Sequence, residues 1–187
     1  LAATAFESIR RQIISGQLPP ESKINQVGFA EEFGISLVPL REALRKLEAE
    51  GLVQIVPHRG AFVSPLSQDE LEDLYSIRLL LEGMATRIAV RHITEDDLAQ
   101  LRALISETAS PTSNPDYDGL LGINREFHFT IYKASGRRFL CEQIARLWQK
   151  SERYRALYLN LPGRSAQAQR EHAEILLALE NRWAKEA

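Results

Sequence analysis

Apolar positions recur at helical spacing through the first fifty residues of the chain and then give way to two short β-rich runs. Three helices are predicted from this spacing, each followed by a glycine that suits a helix C-terminus, at about residues 3–15, 26–33 and 36–50. Ser36 is a favourable N-cap for the third of them. Residues 52–56 and 61–63 predict two strands, and the turn-forming residues at 57–60 between them predict a β-hairpin.

Beyond residue 66 the periodicity is helical to the end of the chain, without a convincing strand. Ser67 and Thr94 are capping residues for the first two predicted helices, and Ser67 with Glu70 has the spacing of a capping box. The predicted helices lie at about residues 67–92, 94–109, 116–135, 138–159 and 165–179, with a loop at 110–115. The fold class is therefore mostly α, with a winged helix-turn-helix domain (three helices plus a β-hairpin wing) at 1–65 and an all-α helical bundle at 66–187.

Composition and cysteine content are typical of a soluble globular protein from a reducing compartment. Hydrophobic residues make up 44% and charged residues 26% of the 187 positions, and no apolar run approaches the roughly 18 residues that span a bilayer. Cys141 is the only cysteine, so no intrachain disulfide can form and the expected setting is cytoplasmic. Leu1 is not a native start, and residues 183–187 look like the first turn of a further helix, so we expect the sequence to be truncated at both ends.

The overall charge argues mildly against a nucleic-acid binder. The net charge is −2, and residues 1–65 carry seven Lys and Arg against seven Asp and Glu. Any affinity for DNA must therefore come from a local cluster of cations.

The third predicted helix has such a cluster on the face that turns away from its apolar stripe. The stripe consists of apolar residues at i, i+3, i+4 and i+7, namely Leu40, Ala43, Leu44 and Leu47. Arg41 and Arg45 lie one turn apart on the outer side, and Val38 falls on the same side of the helical wheel. Two outward guanidinium groups can reach guanine edges or phosphates in a major groove.

The tip of the predicted hairpin carries His58 and Arg59, which can contact the DNA backbone or the minor groove as a wing. The alternative for the helix is a solvated charged face, in which its two outer arginines pair with Glu42 and Glu48. The spacing alone leaves both interpretations open.

Three strings in this region, FAEEFGISLVPLREAL at 29–44, LEAEGLV at 47–53 and HRGAFV at 58–63, closely resemble the GntR family of bacterial regulators. The resemblance extends to Ile9, Ile13 and the Gly16 that follows them, so it covers nearly all of residues 5–63. It implies a DNA-binding winged helix-turn-helix. The candidate DNA-contacting residues are Ser36, Val38, Arg41, Arg45, Lys46, His58, Arg59 and Gly60.

Two positions depart from the family pattern. Leu37 stands where the family usually has Arg after the capping serine, which removes a potential contact typically worth ~1–3 kcal/mol. Glu21 follows Pro20 where the family usually has glycine. The operator sequence therefore does not follow by analogy.

The second domain places polar side chains inside predicted apolar stripes. Arg78 falls within the stripe of the helix at 67–92, whose apolar members are Leu74, Ile77, Leu81, Ala85 and Ile88. Because burying an unpaired guanidinium is costly, Arg78 must meet an anion, which is either Glu82 one turn later or the carboxylate of a ligand. Spacing does not decide between these two partners.

Two histidines and an amide point toward the interior of the same predicted bundle. Asn124 lies within the buried stripe of the helix at 116–135, with His128 one turn later on its flank. His172 lies at the centre of the stripe of the helix at 165–179. These three side chains can bind a divalent metal, or the two histidines can form a hydrogen-bonded pair in the core.

Residues 67–187 look like the FCD effector domain of the FadR-type GntR subfamily, through Arg78 and Glu82, NREFH at 124–128 and EHAEI at 171–175. In that family an Asp or Asn and three histidines bind a metal, often zinc, which helps to hold a small carboxylate effector. The resemblance assigns metal binding to Asn124, His128 and His172 and effector binding to the same residues with Arg78. The fourth ligand would be a histidine beyond Ala187.

The predicted function is that of a homodimeric, metabolite-responsive repressor that binds a double-stranded operator and responds to a small organic acid. We do not expect an enzyme. A metal-dependent hydrolase is one alternative, although two histidines and an amide are fewer ligands than such chemistry normally uses, and no Ser-His-Asp, phosphate-loop or dinucleotide pattern is present. A winged-helix module that contacts proteins without binding DNA is the other.

Overall fold

The computed structural model describes residues 2–109, 117–159 and 163–182. The predicted loop at 110–115 and the predicted helical turn at 183–187 lie outside the described residues. The helices and strands, in chain order, are α1 (Ala2–Ile14), α2 (Gln26–Glu32), α3 (Leu37–Ala49), β1 (Val53–Val56), β2 (Gly60–Val63), α4 (Gln68–Ala89), α5 (Glu95–Ala109), α6 (Tyr117–Ala134), α7 (Arg138–Lys150), α8 (Glu152–Leu159) and α9 (Arg164–Glu180).

The predicted fold class is confirmed. Three helices and a β-hairpin come first, and helices form the rest of the described chain. The strands β1 and β2 pair antiparallel, with Val53 opposite Val63 and Val56 opposite Gly60, so residues 57–59 form the turn. In the part of the chain that the structure describes, no helix has the length and apolar character needed to cross a membrane.

The chain divides into two compact units. The first, the winged unit, comprises Leu1–Glu72 together with Gln149–Leu157. The second, the bundle unit, comprises Asp73–Trp148 and Tyr158–Ala187. The sequence did not predict that residues 149–157 belong to the winged unit. The predicted boundary between residues 65 and 66 stays a prediction.

The core of the winged unit is built on the apolar face of α3. The predicted stripe is confirmed, because its four members are all almost completely buried: Leu40, Ala43, Leu44 and Leu47. Ile9 of α1 and Val53 of β1 are equally buried. Each fully buried aliphatic side chain of this kind contributes roughly 1.5–3 kcal/mol of hydrophobic stabilisation. The buried stripe thereby fixes which face of α3 remains available to solvent.

The core of the bundle unit contains large side chains from several helices. The largest completely buried ones are Trp148, Phe127, Leu101, Ile131, Ile144 and Leu179. They come from α5, α6, α7 and α9, so these helices share one hydrophobic core.

Two predictions for the helices are wrong. The helix predicted over 138–159 is interrupted at Ser151, whose carbonyl accepts the first hydrogen bond of α8, from Arg155 N–H at 3.0 Å. Serine is a weak former of helix interiors and is favoured at helix starts, so the break costs little. In α4, Ile77 is 48% exposed, although the predicted stripe includes it. The buried side of α4 is instead centred on Arg78 and Ala85.

The predicted caps at Ser67 and Thr94 differ. At Thr94 both halves of a capping box are present, with Asp97 N–H bonded to the Thr94 hydroxyl at 3.2 Å and Thr94 N–H bonded to the Asp97 carboxylate at 2.9 Å. At Ser67 only the hydroxyl half forms, to Glu70 N–H at 3.2 Å. The backbone N–H of Ser67 is bonded to the hydroxyl oxygen of Tyr154, at 3.2 Å.

Candidate DNA interface and bundle site

The outer face of α3 is polar, basic and accessible. Ser36 occupies the N-cap position as predicted, but its side chain makes no capping hydrogen bond. Arg41, Arg45 and Lys46 are exposed, and Val38 is 65% exposed among them. The helix therefore presents two guanidinium groups, one ammonium group and an apolar side chain on one accessible surface.

Neither of the two outer arginines of α3 is neutralised within the described part of the chain. Arg41 and Arg45 form no ion pair there, so the predicted alternative of pairing with Glu42 and Glu48 is not observed. The Glu48 carboxylate instead accepts the backbone N–H of Ile55 at 2.9 Å and ties the end of α3 to β1. The two guanidinium groups are thus available for an external anion.

The hairpin tip presents His58 and Arg59, both exposed. His58 has a φ of +62° and Gly60 a φ of +110°. A side chain at Gly60 would be strained at this φ, so the structure gives that glycine a backbone role in the turn. Its place among the DNA-contacting residues stays a prediction.

In the bundle unit, Glu82 is the anion that Arg78 meets. Arg78 is only 7% exposed, and its Nε lies 2.6 Å from Glu82 Oε1. The ion-pair alternative is therefore observed, whereas the role of Arg78 as an effector clamp stays a prediction. Its guanidinium also lies over the rings of Tyr75 and Trp148, at 4.7 and 4.8 Å from their centroids.

Two further donors, which the sequence analysis missed, converge on the same carboxylate. The Tyr132 hydroxyl donates to Glu82 Oε2 at 2.7 Å, and the indole N–H of Trp148 donates to Glu82 Oε1 at 2.8 Å. No spacing within one helix could have indicated them, because they come from α6 and α7. The result is a polar network that joins three helices around one carboxylate.

The structure brings His128 and His172 together. Their Nε2 atoms lie 3.3 Å apart, which is the hydrogen-bonded pair that the second interpretation predicts. His172 is buried and stacks on Phe127, with ring centroids 4.2 Å apart. Burial lowers the pKa of His172, and the nearby Glu171 carboxylate only partly opposes this shift. This shift favours the neutral imidazole, which is the form that binds metal ions.

The same pair has the separation expected of two ligands of one ion. Two imidazole nitrogens at 2.0–2.1 Å from a tetrahedral zinc would lie about 3.3–3.4 Å apart. Asn124, one turn before His128 on α6, is half-buried. Among the described residues, however, there is no group of three His, Cys, Asp or Glu side chains close enough to hold a metal. The donor set in the described chain is thus two imidazoles, with an amide as the candidate third ligand.

The chain matches two family models. The model of the FCD domain matches residues 73–187, and that of bacterial regulatory proteins of the gntR family matches residues 1–63. The first match alone covers more than half of the chain.

Several curated proteins are similar to the chain. It is 31% identical over 140 residues to the HTH-type transcriptional regulator McbR of Escherichia coli K12, covering 75% of this chain and 63% of McbR. It is 32% identical over 142 residues to the Nta operon transcriptional regulator of Aminobacter aminovorans, covering 76% and 66%. It is 29% identical over 158 residues to the HTH-type transcriptional repressor GlaR of Escherichia coli K12, covering 82% and 72%. The chain thus spans less than two thirds of the first two relatives.

Solved structures share its fold. Escherichia coli McbR/YncC superposes with a TM-score of 0.73 at 26% identity, covering 99% of this chain and 88% of that one. A regulator described as a putative transcriptional regulator GntR from Rhodococcus sp. RHA1 gives a TM-score of 0.74 at 17% identity, covering 98% and 88%. The second likeness supports the fold alone.

Proposed function

Because the chain belongs to the GntR family of bacterial regulatory proteins and carries an FCD domain, we propose that it is a transcriptional repressor whose operator binding responds to a small organic acid. The family consists of transcriptional regulators and not of enzymes, and its members bind DNA operators. The observation that carries the proposal is the exposed pair Arg41 and Arg45 on α3, which forms no ion pair with the residues that the structure describes. Repression is proposed because the similar protein GlaR is described as a repressor.

In the proposed complex α3 lies in a major groove of double-stranded DNA. Its two arginines contact guanine edges or phosphates, and Lys46 contacts a phosphate. Val38 offers an apolar surface to a thymine methyl group. Ser36, at the N-terminus of the helix, lies next to the DNA backbone. In the wing, Arg59 and His58 bind phosphates or the minor groove. The protein acts in the cytoplasm, where the chromosomal operator is.

Duplex binding tests this assignment directly. The probe is a duplex that the unmodified chain selects from a random-sequence pool, measured by fluorescence anisotropy at fixed salt. We expect Arg41→Ala and Arg45→Ala each to weaken binding about tenfold or more, since a good base contact is worth roughly 1–3 kcal/mol. Arg138→Ala, which removes an exposed arginine of the bundle unit, is the matched control and is expected to have no such effect. Unchanged affinity in both α3 variants would favour the protein-contact module.

The FCD domain supports a proposed effector site of the FadR type in the bundle unit. We assign the small carboxylate effector to Arg78, Asn124, His128 and His172, and a divalent metal such as zinc to the last three. The 3.3 Å between the two histidine nitrogens supports the metal assignment, and so does the burial that lowers the pKa of His172, because it favours the neutral imidazole. When bound, the ion would supply a positive charge that attracts the effector carboxylate. The chain's own residues fix the ligand nitrogens, and the Trp148 ring contacts both Arg78 and His128.

We further propose that the regulator is a homodimer that reads two half-sites of a pseudo-palindromic operator. The outer face of α4 supports this proposal. It exposes apolar side chains one turn apart, with Leu80 at 71% and Met84 at 48% exposure, beside Ile77 and Leu79. A second copy of the chain, which would bring the same face, would bury these side chains in a self-complementary interface.

A further inference from the structure

The segment Gln149–Leu157, here called the docking segment, belongs to the winged unit although it is distant from the rest of that unit in sequence. Its first anchor is at the end of α3. Arg10 of α1 bonds through Nε to Glu50, the C-cap of α3, at 3.2 Å. The same guanidinium pairs with Glu152 of the docking segment. One arginine therefore connects the docking segment to the base of the helix that carries Arg41 and Arg45.

The second anchor is at the end of the wing. Arg153 is buried, and its Nη2 donates to the carbonyl oxygen of Ser64, the residue after β2, at 2.8 Å. Burial lowers the pKa of Arg153, an effect that Tyr154 and Glu70 partly oppose. The Tyr154 hydroxyl binds the Glu70 carboxylate at 3.1 Å and accepts the Ser67 N–H. The docking segment thus also fixes the chain that leads out of the wing.

The residue directly before the docking segment is Trp148, which belongs to the bundle site. Its indole N–H is bonded to Glu82, and its ring lies against Arg78 and 5.3 Å from the His128 ring. Only three residues separate Trp148 from Glu152. Because the link is so short, a displacement of the tryptophan reaches the anchors across the single helix break at Ser151.

We propose that the docking segment transmits the state of the bundle site to α3 and the wing, with Trp148 as its bundle end and Glu152 and Arg153 as its winged end. This inference rests on the proposed function, since it names how the effector site regulates DNA binding. An anion that competes for Arg78 changes the hydrogen bonds of Glu82, and with them the position of Trp148. Through the two anchors, the displacement of Trp148 then changes how well ordered residues 50 and 64–70 are.

Amide hydrogen exchange on the full chain, without DNA or ligand, tests the coupling. Trp148→Phe removes the indole donor, and we expect exchange at residues 61–70 to rise about threefold to tenfold. Thr130→Val is the matched control, because it removes a buried hydroxyl of the same unit that is bonded to the Glu126 carbonyl and not to Glu82. We expect it to leave exchange at residues 61–70 unchanged.

Arg153→Met supplies the second half of the experiment. It removes the anchor on Ser64, so we expect it to raise exchange at residues 61–70 by itself and to abolish the further effect of Trp148→Phe. The proposal would be overturned if the increase in exchange rate in the double variant were the product of the two single increases, because the two substitutions would then act independently. An unchanged exchange rate at 61–70 in Trp148→Phe would overturn it as well.

If Trp148→Phe does not fold, the reciprocal measurement decides, because coupling between two sites acts in both directions. Arg153→Met should then raise exchange at residues 78–82 in the bundle unit, whereas Arg138→Met, at an exposed position of α7, should not. Equal exchange in the two variants would overturn the proposal. These results do not depend on DNA binding. A chain that binds no duplex would contradict the proposed function alone, and intact duplex binding without exchange coupling would contradict only this inference.

Discussion

The Nε2 atoms of His128 and His172 face each other at 3.3 Å, from two helices that are far apart in the chain. In a hydrogen-bonded pair one of these two nitrogens carries the proton and the other accepts it. A metal ion bound to both nitrogens requires that neither carries a proton. The two interpretations of the pair therefore differ by the position of one proton, which moves from Nε2 to Nδ1 of one ring, and by one cation.

Zinc binding distinguishes these interpretations. In a calorimetric titration of the metal-free chain with zinc, we expect one site, and we expect His172→Ala or His128→Ala to weaken it by at least about tenfold, the scale found for support of metal sites. Asn124→Ala should weaken it less, since an amide oxygen carries no charge.

His92→Ala is the matched control, because His92 is an exposed histidine on the same unit. Its removal should leave the zinc affinity as it is. If the His172 and His128 variants bind zinc as tightly as the unmodified chain does, the pair is a hydrogen-bonded element of the core and the metal assignment is wrong.

The carboxylate of Glu82 should be important for stability. Replacing it in Glu82→Gln removes the negative charge beside the buried guanidinium of Arg78 and turns an amide NH₂ toward the donor of either Tyr132 or Trp148. Breaking a buried ion pair on one side costs several kcal/mol, and since Glu82 retains some exposure we expect a loss of about 2–3 kcal/mol in the free energy of unfolding. Urea denaturation measures this loss.

An exposed ion pair of the same unit provides the comparison. Glu180 pairs with Arg102 at 2.7 Å, and the two side chains are more exposed than those of the buried pair, at 33% and 45%. Glu180→Gln should therefore lower the free energy of unfolding by less than about 1 kcal/mol. Similar losses in the two variants would contradict the importance assigned to the buried network around Glu82.

A third prediction concerns Glu21, whose φ of +64° is in the left-handed region. A side chain there costs roughly 1–2 kcal/mol, part of which glycine gives back through its greater freedom in the unfolded chain. We expect Glu21→Gly to stabilise the chain by about 0.5–1 kcal/mol against urea. The Glu21 N–H to Val63 carbonyl hydrogen bond, at 3.0 Å, is unaffected by this change.

Glu21→Gln separates backbone strain from charge, because it removes the carboxylate and keeps a side chain at the strained φ. It should change stability very little. If Glu21→Gln stabilises the chain as much as Glu21→Gly does, relief of backbone strain is the wrong explanation.

The sequence predicts what is local in this fold. Leu40, Leu44 and Leu47 recur at helical spacing, and burying them leaves only one side of α3 for Arg41 and Arg45. Hence both the recognition helix and its outer face follow from the pattern. The same reasoning fails by one residue in α4, where the ion pair of Arg78 occupies the interior and leaves Ile77 exposed.

The long-range features could not be predicted in this way. Trp148 and Tyr132 meet Glu82 from positions 66 and 50 residues away, and no period within one helix encodes such a meeting. The hydrogen bond from Arg153 to the Ser64 carbonyl also joins residues that are far apart in the sequence. Its acceptor is a backbone atom, which every residue type has, so the sequence gives no sign of it. The break at Ser151 is invisible because the residues on both sides of it favour helices.

The last prediction concerns the outer face of α4 and the oligomeric state. Leu80→Glu places a charge at the centre of the apolar surface formed with Ile77, Leu79 and Met84. If two copies meet through this face, each interface acquires two buried like charges without partners, which is strongly unfavourable. We expect the mass from sedimentation equilibrium at micromolar concentration to fall from that of a dimer to that of a monomer.

Phe139→Glu is the matched control for this prediction, since Phe139 is 73% exposed on α7 and outside the α4 face. It should leave the dimer intact. A monomer mass for the unmodified chain would contradict the homodimer itself, whereas a dimer that survives Leu80→Glu would place the interface elsewhere. Because half-sites are read by two copies, loss of the dimer should also weaken binding to a two-half-site duplex far more than binding to a single half-site.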